Sequence, residues 1–183
     1  MSTKTALLAS LLFAGACDKA PSNNQGSGAT AGSVKGARTA CKGQQCLPDV
    51  NYVDTIGKAY TPADLAGKVV VVNFWATWCK PCLKEIPDLS KVQERYLDKG
   101  VVVLGVMTDN PDSQQLLNFQ SDNDMRYPVV RVNSDIMVSY QYPEHLPTTF
   151  VFDRSGTQVF QHVGALTEAK LAELLDPLVA QKQ

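Results

Sequence analysis

The stretch that decides the fold is Val69-Val70-Val71-Val72-Asn73-Phe74-Trp75, followed directly by Ala76-Thr77-Trp78-Cys79-Lys80-Pro81-Cys82. A nearly unbroken run of β-branched and aromatic residues is the pattern of a strand buried on both faces. Beyond the cysteines, Ile86, Leu89, Val92 and Tyr96 recur at helical spacing, and Gly100 supplies a helix stop. Residues 101–106 form a second apolar run, so strand, helix and strand predict a right-handed parallel unit. The two thiols therefore fall where a strand hands over to a helix. A sulfur at a helix N-terminus faces unpaired N–H groups and the positive end of the dipole, which favour thiolate over thiol. Cys79 is expected to be exposed at the helix start and to act as nucleophile. Cys82, within the first turn, is placed to attack a mixed disulfide on Cys79 and release the partner. Lys80 adds a positive charge, and Pro81 fixes φ where its missing N–H costs nothing.

Working outward, residues 148–152 and 157–163 flank Asp153-Arg154-Ser155-Gly156 and read as an antiparallel hairpin. The chain closes with a helix capped by Thr167, in which Leu171, Leu174, Leu175, Leu178 and Val179 mark one face. Between them the pattern predicts a helix near 112–121, a strand around 129–132 and a helix near 134–140. Pro87 lies inside the helix that follows the dithiol and is expected to kink it. These elements make an α/β domain over residues 47–183.

The N-terminal part differs in kind. Residues 6–16 are apolar or small, too few for the roughly 20 that cross a bilayer. They follow a short head containing Lys4 and end in Leu12-Phe13-Ala14-Gly15-Ala16-Cys17. This resembles the lipobox of bacterial lipoproteins, which implies a signal peptide over 1–16, export, and lipidation of Cys17. Ordinary secretion with Cys17 discarded is the alternative. Twelve of the twenty-three residues 18–40 are Gly, Ser or Ala, with Val34 as the one large apolar side chain, so 17–46 is expected to be a flexible tether. Residues 1–46 carry a net charge of +4 and residues 47–183 of −5. An acidic domain argues against nucleic acid as a partner.

The segment 72–82 resembles the active-site segment of the thioredoxin superfamily. Leu146-Pro147-Thr148-Thr149-Phe150 resembles that family's cis-proline element, and Gly164 its glycine before the last helix. The whole stretch from Leu47 resembles the membrane-tethered TlpA/ResA-type branch. The implied architecture is a thioredoxin-like fold, a central mixed sheet flanked by helices, with an N-terminal hairpin over 47–65 and a central strand-helix insertion. The resemblance implies a cis Leu146–Pro147 bond, and a Leu146 backbone that pairs with an extended substrate. Trp78, Lys80, Pro81, Leu146 and Pro147 are the expected substrate-binding residues, although Trp75 and Trp78 are expected chiefly to pack around the dithiol. Asn73 stands where cytosolic thioredoxin has a buried Asp. In the tethered branch a glutamate at the position of Glu85 tunes the cysteine pair; a solvated Glu85 in the first helical turn is the alternative.

The implied activity is that of an extracytoplasmic thiol-disulfide oxidoreductase. It would reduce disulfides of selected proteins, in cytochrome c maturation or at copper sites, with electrons from a membrane donor and no cofactor beyond the Cys79/Cys82 pair. A disulfide-forming oxidant remains an alternative, as does a copper chaperone using Cys79, Cys82 and His145. His162 is read as structural or surface. Cys41 and Cys46 enclose Lys42-Gly43-Gln44-Gln45 and are read first as a small structural disulfide. A relay pair exchanging with Cys79/Cys82, or a four-sulfur zinc site, are the other possibilities.

Overall fold

The computed structural model describes residue 41 and residues 45–181. The readings of 1–16 as a signal peptide, of Cys17 as a lipid site and of 18–40 as tether lie outside the described residues.

A five-stranded sheet forms the centre, in the spatial order β5-β4-β3-β6-β7. Its middle strand, β3 (Val69–Trp75), is buried along its whole length. Burying a valine side chain contributes about 1.5 kcal/mol or more, so its four valines together match the net stability of a typical domain. β3 pairs in parallel with β4 (Val101–Met107), as the β-α-β pattern predicts, and antiparallel with β6 (Thr148–Phe152). β4 continues in parallel to the short β5 (Val129–Arg131), and β7 (Gln158–Val163) closes the other edge against β6.

Alternation along β3 sorts the core into two layers. Val69, Val71 and Trp75 pack beneath α2 (Lys80–Tyr96) and α5 (Glu168–Ala180), with Ile86, Leu89, Leu171 and Leu175. Val70, Val72 and Phe74 face the other way, against Ile136 and Tyr140 from α4 (Ser134–Ser139) and the end that follows it. Helix α2 runs through Pro87 and passes into a 3₁₀ turn, Leu97–Lys99, that ends at Gly100 with φ 78°. The remaining helix of the middle segment, α3 (Ser113–Asp122), starts with a capping box between Asp112 and Gln115.

The N-terminal hairpin is smaller than 47–65 suggests. It consists of two-residue strands, β1 (Tyr52–Val53) and β2 (Ala59–Tyr60), followed by α1 (Pro62–Leu65). Most of this segment is a strap across the sheet. Cys46 bridges Thr157 beside β7, Asp54 bridges Val130 in β5, and Leu47 and Tyr52 bury their side chains in the second core layer between these points. The folded unit thus takes in Gln45 and Cys46, ahead of the expected boundary at Leu47. The Gln158 N–H donates to the Gln45 carbonyl (2.7 Å) and the Leu47 N–H to the Gly156 carbonyl (2.7 Å).

Candidate active site

β3 ends in a turn closed by the Cys79 N–H and the Ala76 carbonyl (3.1 Å), and Cys79 then serves as the N-cap of α2. Its sulfur accepts from the Cys82 N–H at 3.3 Å. Among the usual N-cap groups this place is taken by a hydroxyl or carboxylate oxygen. A thiolate there gains the same hydrogen bond and the helix dipole, so the geometry stabilises the anion of Cys79 in particular. Cys79 and Cys82 are joined as a disulfide.

The expected exposure of Cys79 is corrected: in this oxidised form the residue is 3% exposed and Cys82 0%. Both belong to the core layer under α2, and the Leu146 side chain packs against that layer. The order of accessibility still favours Cys79. Trp75 packs in the core and stacks on Phe119 (5.4 Å between centroids). Trp78 does not pack: it is 70% exposed. It occupies a corner of the Ala76–Cys79 turn, while Thr77 is held by Asp109, to whose carboxylate its N–H donates at 3.1 Å and its hydroxyl also donates. Lys80 and Pro81 are exposed as well, so the buried disulfide has a solvent-facing rim.

Glu85 lies one turn beyond Cys82 on the buried face of α2. It is buried rather than solvated. Its carboxylate accepts from the Asn73 amide (2.7 Å) and from the Leu166 N–H (3.0 Å), and the same Asn73 amide donates to Thr149 Oγ1 (3.0 Å). Burial pushes the Glu85 carboxyl up to about 7, with the Leu166 N–H and the Asn73 amide pulling partly back. Asn73, noticed in the sequence as a departure from thioredoxin, is therefore the clamp that joins Glu85 to β6. Its signal was a single polar residue inside an otherwise apolar strand.

Tyr127 and Trp75 complete the surroundings; Trp75 is expected beside the dithiol from its place in the motif, whereas no pattern in the sequence marks Tyr127. A Cβ at Gly105, which pairs with Asn73, would stand 2.6 Å from the Tyr127 ring and 3.1 Å from Trp75 Nε1, so glycine there admits both rings. Burial first, and the Glu85 carboxylate second, push the Tyr127 phenol well above its usual value.

The Leu146–Pro147 bond is cis. Pro147 is buried and its carbonyl accepts from the Gly164 N–H (2.8 Å), fixing the loop to the end of β7. His145 is exposed, and its carbonyl accepts from the Thr148 hydroxyl (2.6 Å). His162 stacks on Phe160 in β7. Among the described residues no three His, Cys, Asp or Glu side chains are arranged to hold a metal ion, so Cys79, Cys82 and His145 are not brought together as a copper set, nor the four cysteines as a zinc set. No helix among the described residues is long and apolar enough to cross a membrane.

Cys41 and Cys46 form a second disulfide. Cys46 lies beside Thr157, past the rung where Phe152 meets Val70, whereas Cys79 lies past the rung where Thr148 meets Phe74. Four residues of strand separate these rungs, about 13 Å, and both cysteines lie beyond them. Direct exchange between the pairs would need the strap to leave β7. Replacing Cys41 and Cys46 together by Ser is accordingly expected to keep disulfide turnover within about threefold and to cost at most about 2 kcal/mol, the loop-closure value for so short a loop. A tenfold loss of turnover in a folded double variant, together with a disulfide from Cys41 or Cys46 to Cys79 trapped in a Cys82→Ser protein that keeps both cysteines, would establish the relay instead.

Comparison with known proteins agrees with this geometry. The AhpC/TSA family profile matches residues 44–159. The chain is 34% identical over 136 residues to the thioredoxin-like protein YneN of Bacillus subtilis, covering 74% of this chain and 79% of that protein. It is 34% identical over 124 residues to the thiol-disulfide oxidoreductase ResA of Bacillus thuringiensis, covering 68% and 71%. The crystal structure of a thiol:disulfide interchange protein of the thioredoxin family from Chlorobium tepidum superimposes with a TM-score of 0.67 at 29% identity, over 76% of this chain and 99% of that one. Because the similarity runs from the strap through the dithiol to the hairpin of β6 and β7, the chain belongs to the AhpC/TSA family and is a thioredoxin-like thiol-disulfide oxidoreductase of the TlpA/ResA type.

Proposed function

We propose that this oxidoreductase works outside the cytoplasm as a reductase of protein disulfides, anchored by lipid on Cys17. The observation that carries the catalytic part is the Cys79–Cys82 disulfide at the N-terminus of α2, capped by its own sulfur and next to the cis-proline loop. In the reduced protein the Cys79 thiolate attacks one sulfur of the substrate disulfide and expels the other as a thiolate. Cys82 then loses its proton and attacks the Cys79 sulfur, releasing the second substrate thiol and leaving the oxidised pair. Glu85, one turn away and with its carboxyl near neutrality, receives the proton of Cys82. Electrons stay on sulfur throughout, so the step needs no bound cofactor. A membrane protein of the disulfide-reductase type returns the pair to the dithiol.

The substrate side is supported by the backbone at Leu146. Among the described residues its N–H and C=O enter no hydrogen bond, which leaves them for an extended chain crossing the rim. By resemblance to the tethered branch, apocytochrome c and copper-site proteins are the proposed substrates.

The anchor follows from the chemistry of the leader. An eleven-residue apolar run cannot hold the protein in a bilayer, whereas several acyl chains on one cysteine can. Mass spectrometry of the mature full-length protein is expected to find a diacylglyceryl-modified Cys17 at its N-terminus, in the membrane fraction, and the Cys17→Ser protein is expected to leave that fraction. A soluble, unmodified product beginning elsewhere would refute the anchor.

A further inference from the structure

On the side of the sheet opposite α2 and α5, a groove of about 470 Å³ runs between the strap, the chain following α4, and strands β6 and β7. Its size is that of an ordinary binding cleft. Phe150, Gln161 and Val163 contribute to its floor, Tyr142 and His145 stand along one side, and Cys46 lies at the far end.

Three features say what fits there. The first is backbone. β7 is an edge strand, and because the Gly164 N–H donates to the Pro147 carbonyl, antiparallel alternation turns the N–H and C=O of Gln161 and Val163 away from β6. The chain already uses this edge once, where the Gln158 N–H donates to Gln45, so strand addition here is a contact the fold itself makes. The second is side-chain chemistry. Tyr142 and Val163 are more than half exposed, glutamines 45, 141, 158 and 161 line the same groove, and among its described lining residues there is no Lys or Arg and Glu144 is the one carboxylate. Apolar surface with many amides suits a polypeptide of mixed composition better than a phosphate or a highly charged ligand. The third is continuity. His145 and Thr148 line the near end and bracket Leu146 and Pro147, so the groove begins at the loop beside the catalytic disulfide.

We propose that this groove docks the polypeptide that carries the substrate disulfide, its residues to one side of the attacked cysteine adding to the open edge of β7 from Val163 towards Val159. Five residues of edge, about 17 Å, are available before the strap blocks it. The proposal rests on the reductase function above and deepens it: the preferred substrate is an extended or unfolded chain, not a compact disulfide. The strap, clipped by Cys41–Cys46, sets how many substrate residues are held.

The test compares two disulfides on the full-length protein: a peptide disulfide with six uncharged residues on each side of its cysteine, and glutathione disulfide, which is too short to enter the groove. Two variants probe the groove. Gln161→Pro removes an outward N–H that β6 does not use, and Tyr142→Ala shortens an exposed side chain. Each is expected to raise KM for the long peptide roughly fivefold, the scale of one lost hydrogen bond or contact, with kcat unchanged and glutathione disulfide reduced as by wild type. Unchanged peptide KM in both folded variants would overturn the groove, and so would an equal loss on both disulfides. Failure of the wild-type protein to reduce either disulfide would instead overturn the reductase function. A photo-crosslinking residue at position 142 reads the occupant directly. Capture of the added peptide supports the proposal, whereas capture of residues 18–40 of the same chain would assign the groove to the tether and overturn it.

Discussion

Cys79→Ser is expected to bring the reduction of a peptide disulfide down to the rate of the reductant alone, while Cys82→Ser retains the first chemical step and accumulates mixed disulfides on Cys79. The asymmetry comes from position on α2. The Cys79 sulfur is the N-cap acceptor, bonded by the Cys82 N–H, and it lies at the positive end of the dipole. Cys82 lies inside the first turn and is fully buried, so its sulfur meets the Cys79 sulfur more readily than any external disulfide. Limiting alkylating reagent applied to the reduced wild-type protein should therefore label Cys79 ahead of Cys82. Predominant labelling of Cys82, or trapped adducts from Cys79→Ser rather than from Cys82→Ser, would reverse the assignment. Serine is close to cysteine in shape and at position 79 keeps a cap acceptor, so loss of exchange without loss of thermal stability relative to the reduced wild-type protein is the informative result.

The central strands were legible because they are determined locally. Four successive valines before Asn73 admit little except a strand covered on both faces, and the register with β4 and β6 follows once the helix between is recognised. Caps were legible for the same reason: Thr167 and Gly100 act through their own backbone neighbours. The strap was not. Its residues have no sustained periodicity, and their conformation comes from burying Leu47 and Tyr52 on a sheet face formed by strands far away in sequence. What looked like a hairpin of some nineteen residues is two short rungs in a chain that crosses the whole sheet.

The same division applies to the site. Cysteine spacing and the helix start are local, and they identified the dithiol. The surroundings of Glu85 are not local. An i, i+3 spacing puts Cys82 and Glu85 on one face without saying whether that face meets solvent or core. The answer depends on Leu166, 81 residues further on, whose N–H reaches the carboxylate ahead of α5, and on the Asn73 amide from β3. Likewise, helical dipole arguments predicted an accessible Cys79 but not that the oxidised pair would pack beneath α2 with Leu146 against it. The groove beside β7 has no sequence signature, since it arises where the strap stops short of covering a strand edge.

Glu85→Gln is expected to remove a pH dependence of stability that wild type carries between pH 5 and pH 8. The carboxyl titrates near 4.5 when unfolded and is pushed up to about 7 when folded, chiefly by burial. Between these values the native state binds more protons than the unfolded state, so stability is fully present below 4.5 and is lost as pH rises through 7. The shift corresponds to roughly 3 kcal/mol, most of it falling between pH 5 and pH 8. Measured as the wild-type minus Glu85→Gln difference, the contributions of other carboxylates cancel. The substituted amide has the shape of the carboxyl it replaces and fits the site without a clash. Its carbonyl can accept from the Leu166 N–H, and a flipped Asn73 can offer its otherwise unpaired Oδ1 to both the new amide and the Thr149 hydroxyl. The variant should therefore be as stable as wild type or more so at pH 8, and lose that advantage at pH 5. Turnover supplies the second readout. With Glu85 accepting the proton of Cys82, wild-type resolution of the mixed disulfide should rise through a step near pH 7, and the variant should lack the step and resolve more slowly above it. A stability difference that stays flat from pH 5 to pH 8 would mean that folding does not raise the carboxyl, and wild-type resolution with no step near pH 7 would remove Glu85 from the proton step.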